Sequence, residues 1–120
     1  MSVKRLNHVA IVVNDLRETH EFYGGLLGLK QIERPPEVKA GGPGAWYAIG
    51  DRQLHVFVRP GVTEASDRHV ALEIDDMDAL IERLKKAGFT VEDSFSFGEF
   101  KRRKFTRDPS GHLIELMSRE

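Results

Sequence analysis

The sequence predicts an α+β fold: one domain over residues 1–120 made of two βαβββ modules, module one at 5–60 and module two at 68–118. Three observations predict it. The segment His8 to Leu16 (HVAIVVNDL) aligns without a gap on His69 to Met77 (HVALEIDDM). A capped helix follows each copy and stops at a glycine, Gly28 or Gly88. Each module then closes on a hairpin, around Gly50-Asp51 in the first and Asp108-Pro109-Ser110-Gly111 in the second. A repeat takes precedence over local readings because it fixes how every later segment is assigned.

Each repeat opens with a strand that runs into a helix start. Asn14 or Asp15 can cap a helix over Leu16 to Leu27, and Asp75 or Asp76 one over Met77 to Ala87, by accepting from first-turn amides that have no partner inside the helix. Gly28-Leu29 and Gly88-Phe89 supply a residue that tolerates the left-handed stop, then an apolar residue that returns the chain to the core. In module one, strands are expected at Gln31 to Arg34, Ala45 to Ile49 and Arg52 to Val58, with a loop marked by Pro35, Pro36 and the glycines at 41, 42 and 44. That loop reads as a linker or a lid. In module two the strands fall at Thr90 to Asp93, Arg102 to Arg107 and His112 to Ser118. A polar linker, Gly61 to Asp67, joins the modules.

Composition removes several function classes. Eighteen basic residues against nineteen acidic leave a net charge of -1, which is no footprint for nucleic acid or an anionic membrane. No apolar run reaches the roughly 18 to 20 residues of a membrane span, and the start MSVKRLNHVA lacks a signal-peptide core, so a soluble cytoplasmic protein is expected. The chain has no cysteine, so any metal must be held by His, Asp or Glu.

Side chains alternate across a strand, so period two sorts each strand into faces. Val9, Ile11 and Val13 oppose His8, Ala10 and Val12; Val70, Leu72 and Ile74 oppose His69, Ala71 and Glu73. In the last strands, Leu54, Val56 and Val58 oppose His55, while Ile114 and Leu116 oppose Glu115. A helix would cover the aliphatic faces, which leaves His8, His55, His69 and Glu115 on the other side. A single histidine on a half-buried strand is more often a hydrogen-bonded structural residue than a ligand. Here all four candidates fall at two repeat-related sites, His8 with His69 and His55 with Glu115. If the two sheets curve towards each other, these groups face one cavity, where a divalent cation would offset the cost of burying them. The expected cofactor is one divalent metal ion per chain, Ni, Zn, Mn, Co or Fe, since these suit imidazole with one carboxylate.

At these residues the chain resembles the vicinal oxygen chelate superfamily, which includes glyoxalase I, methylmalonyl-CoA epimerase, extradiol dioxygenases, fosfomycin-modifying transferases and bleomycin-binding proteins. The resemblance covers essentially the whole chain. Its marks are Leu6-Asn7-His8-Val9, Phe22 to Leu29, Gln53-Leu54-His55-Val56, His69-Val70-Ala71 and Asp108 to Leu116. It implies curved mixed sheets forming glyoxalase-like half-barrels and a metal held by His8, His55, His69 and Glu115. It also implies a small-molecule substrate chelated through adjacent oxygens, and proton transfer through an enolate-like state with Glu115 as catalytic proton carrier. At His55 the glyoxalase I pattern usually has glutamate, and at Ala10 the fosfomycin transferases typically carry threonine. Two other readings stay open: an Fe(II) extradiol-type dioxygenase using His8, His69 and Glu115 alone, and a non-catalytic drug-binding protein. A homodimer is expected, with each metal site assembled from both chains.

Other residues attract attention. Glu73 shares the ligand face but reads as a rim residue. Lys101-Arg102-Arg103-Lys104 can steer an anionic substrate, though four charges in a row more often form a solvated edge. Trp46, Tyr47 and Phe57 can line a pocket or fill the core. His20 and His112 read as exposed.

Overall fold

The computed structural model describes residues 2–61 and 65–120. The chain divides into two compact units, Met1–Thr63 and Glu64–Glu120. Part of the expected linker, residues 62–64, lies outside the described residues.

In the first unit, β1 (His8–Val13), α1 (Leu16–His20), a π-helical segment (Glu21–Leu26), β2 (Lys30–Ile32), α2 (Pro36–Lys39), β3 (Gly44–Ile49) and β4 (Arg52–Val58) follow one another. The strands form one sheet in the order β1-β4-β3-β2, with β1 and β4 parallel and the other pairs antiparallel. The second unit repeats this arrangement. Here β5 (His69–Glu73), α3 (Met77–Lys86), β6 (Glu92–Ser94), β7 (Arg102–Arg107) and β8 (Leu113–Ser118) give the sheet order β5-β8-β7-β6, again with only the first pair parallel. Two open four-stranded mixed sheets are thus built from two copies of one chain path.

The alternation read from the sequence is the alternation of burial. Val13, Leu54 and Val56 are buried in the first unit, and Leu72, Ile114 and Leu116 in the second. Helix α3 adds Met77, Leu80 and Leu84, spaced for one helical face, to the second core. Each such side chain contributes about 1.5–3 kcal/mol when removed from water.

The cap alternatives resolve to one residue each. Asp15 Oδ1 accepts from the Glu18 amide at 2.8 Å, and Asp76 Oδ1 from the Ala79 amide at 3.2 Å. Gly88, at φ +91°, ends α3 in the left-handed region, and the Phe89 amide reaches back to the Leu84 carbonyl at 2.9 Å.

Three expectations about elements are corrected. The helix expected over Leu16 to Leu27 changes type at Glu21, where the Leu27 amide bonds the Phe22 carbonyl five residues back. The reason lies at Gly24. A side chain there would stand 2.6 Å from the His20 ring, which lies over this turn and shares a 2.9 Å hydrogen bond with the buried Tyr47 hydroxyl. The loop expected from Pro35 to Gly44 contains α2, because Pro36 at a first-turn position loses no helical hydrogen bond and its φ is already suitable. The two short edge strands also shift: β2 begins at Lys30 and ends before Glu33, and β6 runs over Glu92–Ser94 in place of Thr90 to Asp93.

Candidate functional site

In the first unit, the parallel register of β1 and β4 sets His8 opposite Gln53 and Ala10 opposite His55. His8 and His55 therefore lie on one face, and their rings stack with centroids 3.9 Å apart at an interplanar angle of 19°. On its other side His55 meets Trp46, its partner across the β3–β4 hairpin, at 3.8 Å and 2°. The three rings form a continuous stack with His55 in the middle. His8 Nδ1 is 2.9 Å from Asn7 Oδ1, and His55 Nε2 donates to Gln53 Oε1 at 2.8 Å. Burial, reinforced by the nearby His8, pushes the His55 imidazole down from an ordinary 6.5 to about 4. It is neutral near pH 7, the state in which a histidine binds a metal.

The second unit uses the same register. His69 pairs with Leu113 and Ala71 with Glu115, so His69 and Glu115 stand where His8 and His55 stand in the first. His69 Nε2 lies 3.0 Å from Glu115 Oε1, while its Nδ1 donates to the Asp67 carbonyl at 2.8 Å. A neutral imidazole has one N–H, and the carbonyl takes it. The Nε2 atom then faces a carboxylate oxygen either with a second proton or with a cation that both atoms bind. The 3.0 Å spacing suits a direct N–H···O bond and a shared ion equally.

Glu115 is buried, and its second oxygen, Oε2, accepts from Arg103 Nε at 2.8 Å. Arg103, also buried, donates through Nη1 to Ser94 Oγ at 3.3 Å and to the Phe95 carbonyl at 2.8 Å. Three rings surround its guanidinium: Phe97 at 4.5 Å, Phe95 at 4.9 Å and Phe105 at 5.5 Å. The Arg103 hydrogen bond is the main reason the Glu115 carboxyl lies below the usual range, with His69 adding to it. Glu115 is thus held ionised and fixed in orientation.

The structure brings His8 together with His55, and His69 with Glu115. Within neither unit do three His, Asp or Glu side chains gather into a group that could hold a metal, among the described residues. Arg103 corrects the reading of Lys101 to Lys104 as a solvated edge: it points inward on the face of Glu115, while Arg102 and Lys104 pair outward with Asp78 and Asp93. His112 is half-buried rather than exposed, its amide donating to Asp108 Oδ1 at 2.9 Å. Glu73 stands at the rim, paired with Arg119 at 3.0 Å. Tyr47 belongs to the core, whereas Trp46 is half-buried and Phe57 exposed.

Trp46 and Asp108 were legible in principle. A two-residue turn at Gly50-Asp51 fixes the hairpin register and sets Trp46 opposite His55. Asp108 heads a turn whose Ser110 and His112 amides both donate to its side chain at 2.9 Å, a local bond that aspartate favours.

A family model described as the Glyoxalase/Bleomycin resistance protein/Dioxygenase superfamily matches residues 5–116. A Vibrio cholerae protein named a probable lactoylglutathione lyase is 27% identical over 127 residues, covering 98% of this chain and 92% of that protein. A solved structure from Bacillus anthracis, of a protein assigned to the glyoxalase family, is 27% identical with a TM-score of 0.86, over 100% of this chain and 98% of that one. A mutant of the fosfomycin resistance protein FosX from Listeria monocytogenes, complexed with Mn(II) and a dihydroxypropylphosphonic acid, has a TM-score of 0.79 at 21% identity, over 97% of this chain and 90% of that one. No helix among the described residues is long and apolar enough to cross a membrane. A family match over this much of the chain settles membership: the protein belongs to the glyoxalase/bleomycin resistance protein/dioxygenase superfamily.

Proposed function

We propose that this protein is a metal-dependent lyase or isomerase of the glyoxalase type, with His8, His55, His69 and Glu115 as ligands of one divalent ion and modules 5–60 and 68–118 acting as one domain. The observation that carries the reading is the 3.0 Å approach of His69 Nε2 to Glu115 Oε1, with the other ring nitrogen already committed to a carbonyl. The Vibrio cholerae relative named as a lyase supports the reaction class, and the FosX complex makes Mn(II) a reasonable probe.

A divalent ion in this setting acts as a Lewis acid towards adjacent substrate oxygens. The chain's own groups do the rest. Asn7 and the Asp67 carbonyl fix the orientations of His8 and His69 through their Nδ1 atoms. Glu115 carries the proton. Its bond to Arg103 holds it ionised but lowers its proton affinity, so to accept a proton it would have to part from this partner.

The test is a Mn(II) titration of metal-stripped protein followed by spin resonance, with turnover of the hemithioacetal of methylglyoxal and glutathione measured on the loaded protein. One ion per chain, lost in His69→Ala and Glu115→Ala, is the expected result. Full Mn(II) occupancy in the double variant would overturn the ligand set, and occupancy without turnover would overturn the glyoxalase reaction. A second reading is favoured by the engaged state of His55, stacked on both sides with its Nε2 held by Gln53. There, His8, His69 and Glu115 alone form the two-histidine, one-carboxylate set of a non-haem Fe(II) oxygenase.

A further inference from the structure

A cleft of about 190 Å³ lies within the first unit, and its lining includes Arg34, Val38, Trp46, Val56, Phe57 and Arg59. Among the described residues no acidic side chain lines it. Both arginines reach it without a carboxylate partner among the described residues. Arg34 is tethered by Nη2 alone, which donates to the carbonyls of Gly42 at 2.7 Å and Val38 at 3.3 Å. Its Nε is buried with no hydrogen-bond partner among the described residues. Arg59 donates to the neighbouring Val58 carbonyl at 2.9 Å, and its guanidinium stands 5.4 Å from the centre of the Phe57 ring. Two guanidinium groups beside apolar walls, with no carboxylate against either among the described residues, favour an anion, and a guanidinium prefers carboxylate or phosphate-type oxygens.

Gly44 helps to hold this arrangement. A side chain there would come within 3.1 Å of Arg34 Nη1 and 2.3 Å of the Val56 carbonyl oxygen. The backbone of β3 can therefore lie close to the guanidinium only because residue 44 is glycine. The cleft also adjoins a candidate metal ligand, since Trp46 lines it and stacks on His55, and Phe57 shares the strand face of His55.

We propose that this cleft binds the anionic group of the substrate, a carboxylate or a phosphonate on a short apolar body, between Arg34 and Arg59 against Trp46 and Phe57. The size supports a group of that kind: drug-sized ligands occupy roughly 300–1,000 Å³, so the cleft takes one end of a substrate and not the whole. As an anion site it stands on residues of the first unit alone. As a substrate-positioning site it rests on the reading that His55 faces the reacting centre.

Trp46 is the only tryptophan of the chain, so its fluorescence reports on the cleft directly. Protein kept metal-free with a chelator is titrated with benzoate, phenylphosphonate and the neutral analogue benzamide. A saturable change is expected with the anions, with benzamide weaker by about tenfold or more. Arg34→Gln and Arg59→Gln should each remove most of that preference. Arg59 is exposed, so its variant keeps the test valid should Arg34→Gln misfold. Whichever anion binds more tightly supports the proposal and names the class. Equal responses to benzoate and benzamide, no saturable response to either anion, or a preference that survives in Arg59→Gln would overturn it. Because no metal is present, failure of the metal-site reading leaves this result unchanged, and failure here leaves the Mn(II) titration unchanged.

Discussion

Arg103 Nε donates to Glu115 Oε2 at 2.8 Å, and both side chains are buried, so a candidate metal ligand is held by an ion pair inside the second sheet's face. Removing one member of a buried pair leaves the other charge uncompensated, a loss of about 3–5 kcal/mol. Arg103→Met should therefore unfold at markedly lower urea, and adding Glu115→Gln should restore much of the loss. Mn(II) affinity of Arg103→Met, measured under folding conditions, should fall by about 10- to 100-fold, as for a group that orients a ligand. Arg103→Lys should recover only part of both effects, because an ammonium cannot reproduce the guanidinium's contacts with Ser94, Phe95 and Glu115. Unchanged Mn(II) affinity in Arg103→Met would show that Glu115 does not need this partner to bind.

His55 separates four ligands from three. If it binds the ion, His55→Ala should weaken Mn(II) by more than about 100-fold, while His55→Glu should largely preserve binding. In the three-ligand reading, metal content survives both changes and turnover falls. Spin resonance of the Mn(II)-loaded variants distinguishes the two.

Acid should destabilise the metal-free protein in two steps. The folded His55 pKa is depressed from 6.5 to about 4, so between these values the unfolded chain binds the extra proton, and stability falls as the pH is lowered across that window. Glu115 is also depressed, from an ordinary 4.5, so its contribution is complete above that value and is lost as the pH falls through its folded pKa. Urea unfolding from pH 7 to 4 measures the slope, and His55→Gln should flatten it above pH 4.5.

Helix α3 anchors its core through Leu84, which is fully buried. Leu84→Ala should cost about 2–5 kcal/mol, the range for truncating a packed leucine. The exposed Glu82→Ala on the same helix should change stability by no more than about 0.5 kcal/mol, which calibrates the comparison.

Mixing His8→Ala and Glu115→Ala chains tests whether a metal site is shared between subunits. In a homodimer with cross-chain sites, one site of each mixed dimer is intact and the other doubly damaged, so about half of the Mn(II) binding returns. No recovery despite proven subunit exchange would place each site within one chain.

What the sequence determined by itself was the repeat and everything that period two and end signals encode. The match of HVAIVVNDL with HVALEIDDM, a cap at Asn14 or Asp15 and another at Asp75 or Asp76, and the two-residue turn at Gly50-Asp51 are local or self-similar, so they fix strand faces without knowledge of distant partners. That was enough to put His8, His55, His69 and Glu115 on the faces away from the aliphatic ones, while the observed registers of β1 on β4 and β5 on β8 set His8 beside His55 and His69 beside Glu115. The tertiary structure decided which neighbours those residues have. Five residues, 108–112, separate β7 from β8, and a loop of that length does not fix the register as a two-residue turn does. Only the observed pairing of Phe105 with Glu115 and of Arg103 with Met117 turns one member of a four-charge run inward onto the carboxylate. The π-helical turn was hidden for a similar reason: it goes with the His20 ring at the end of α1 reaching Tyr47 on β3, and with Gly24 leaving that ring its space. Charge and helix type at these points are set by contacts between segments far apart in the chain, which composition and spacing do not carry.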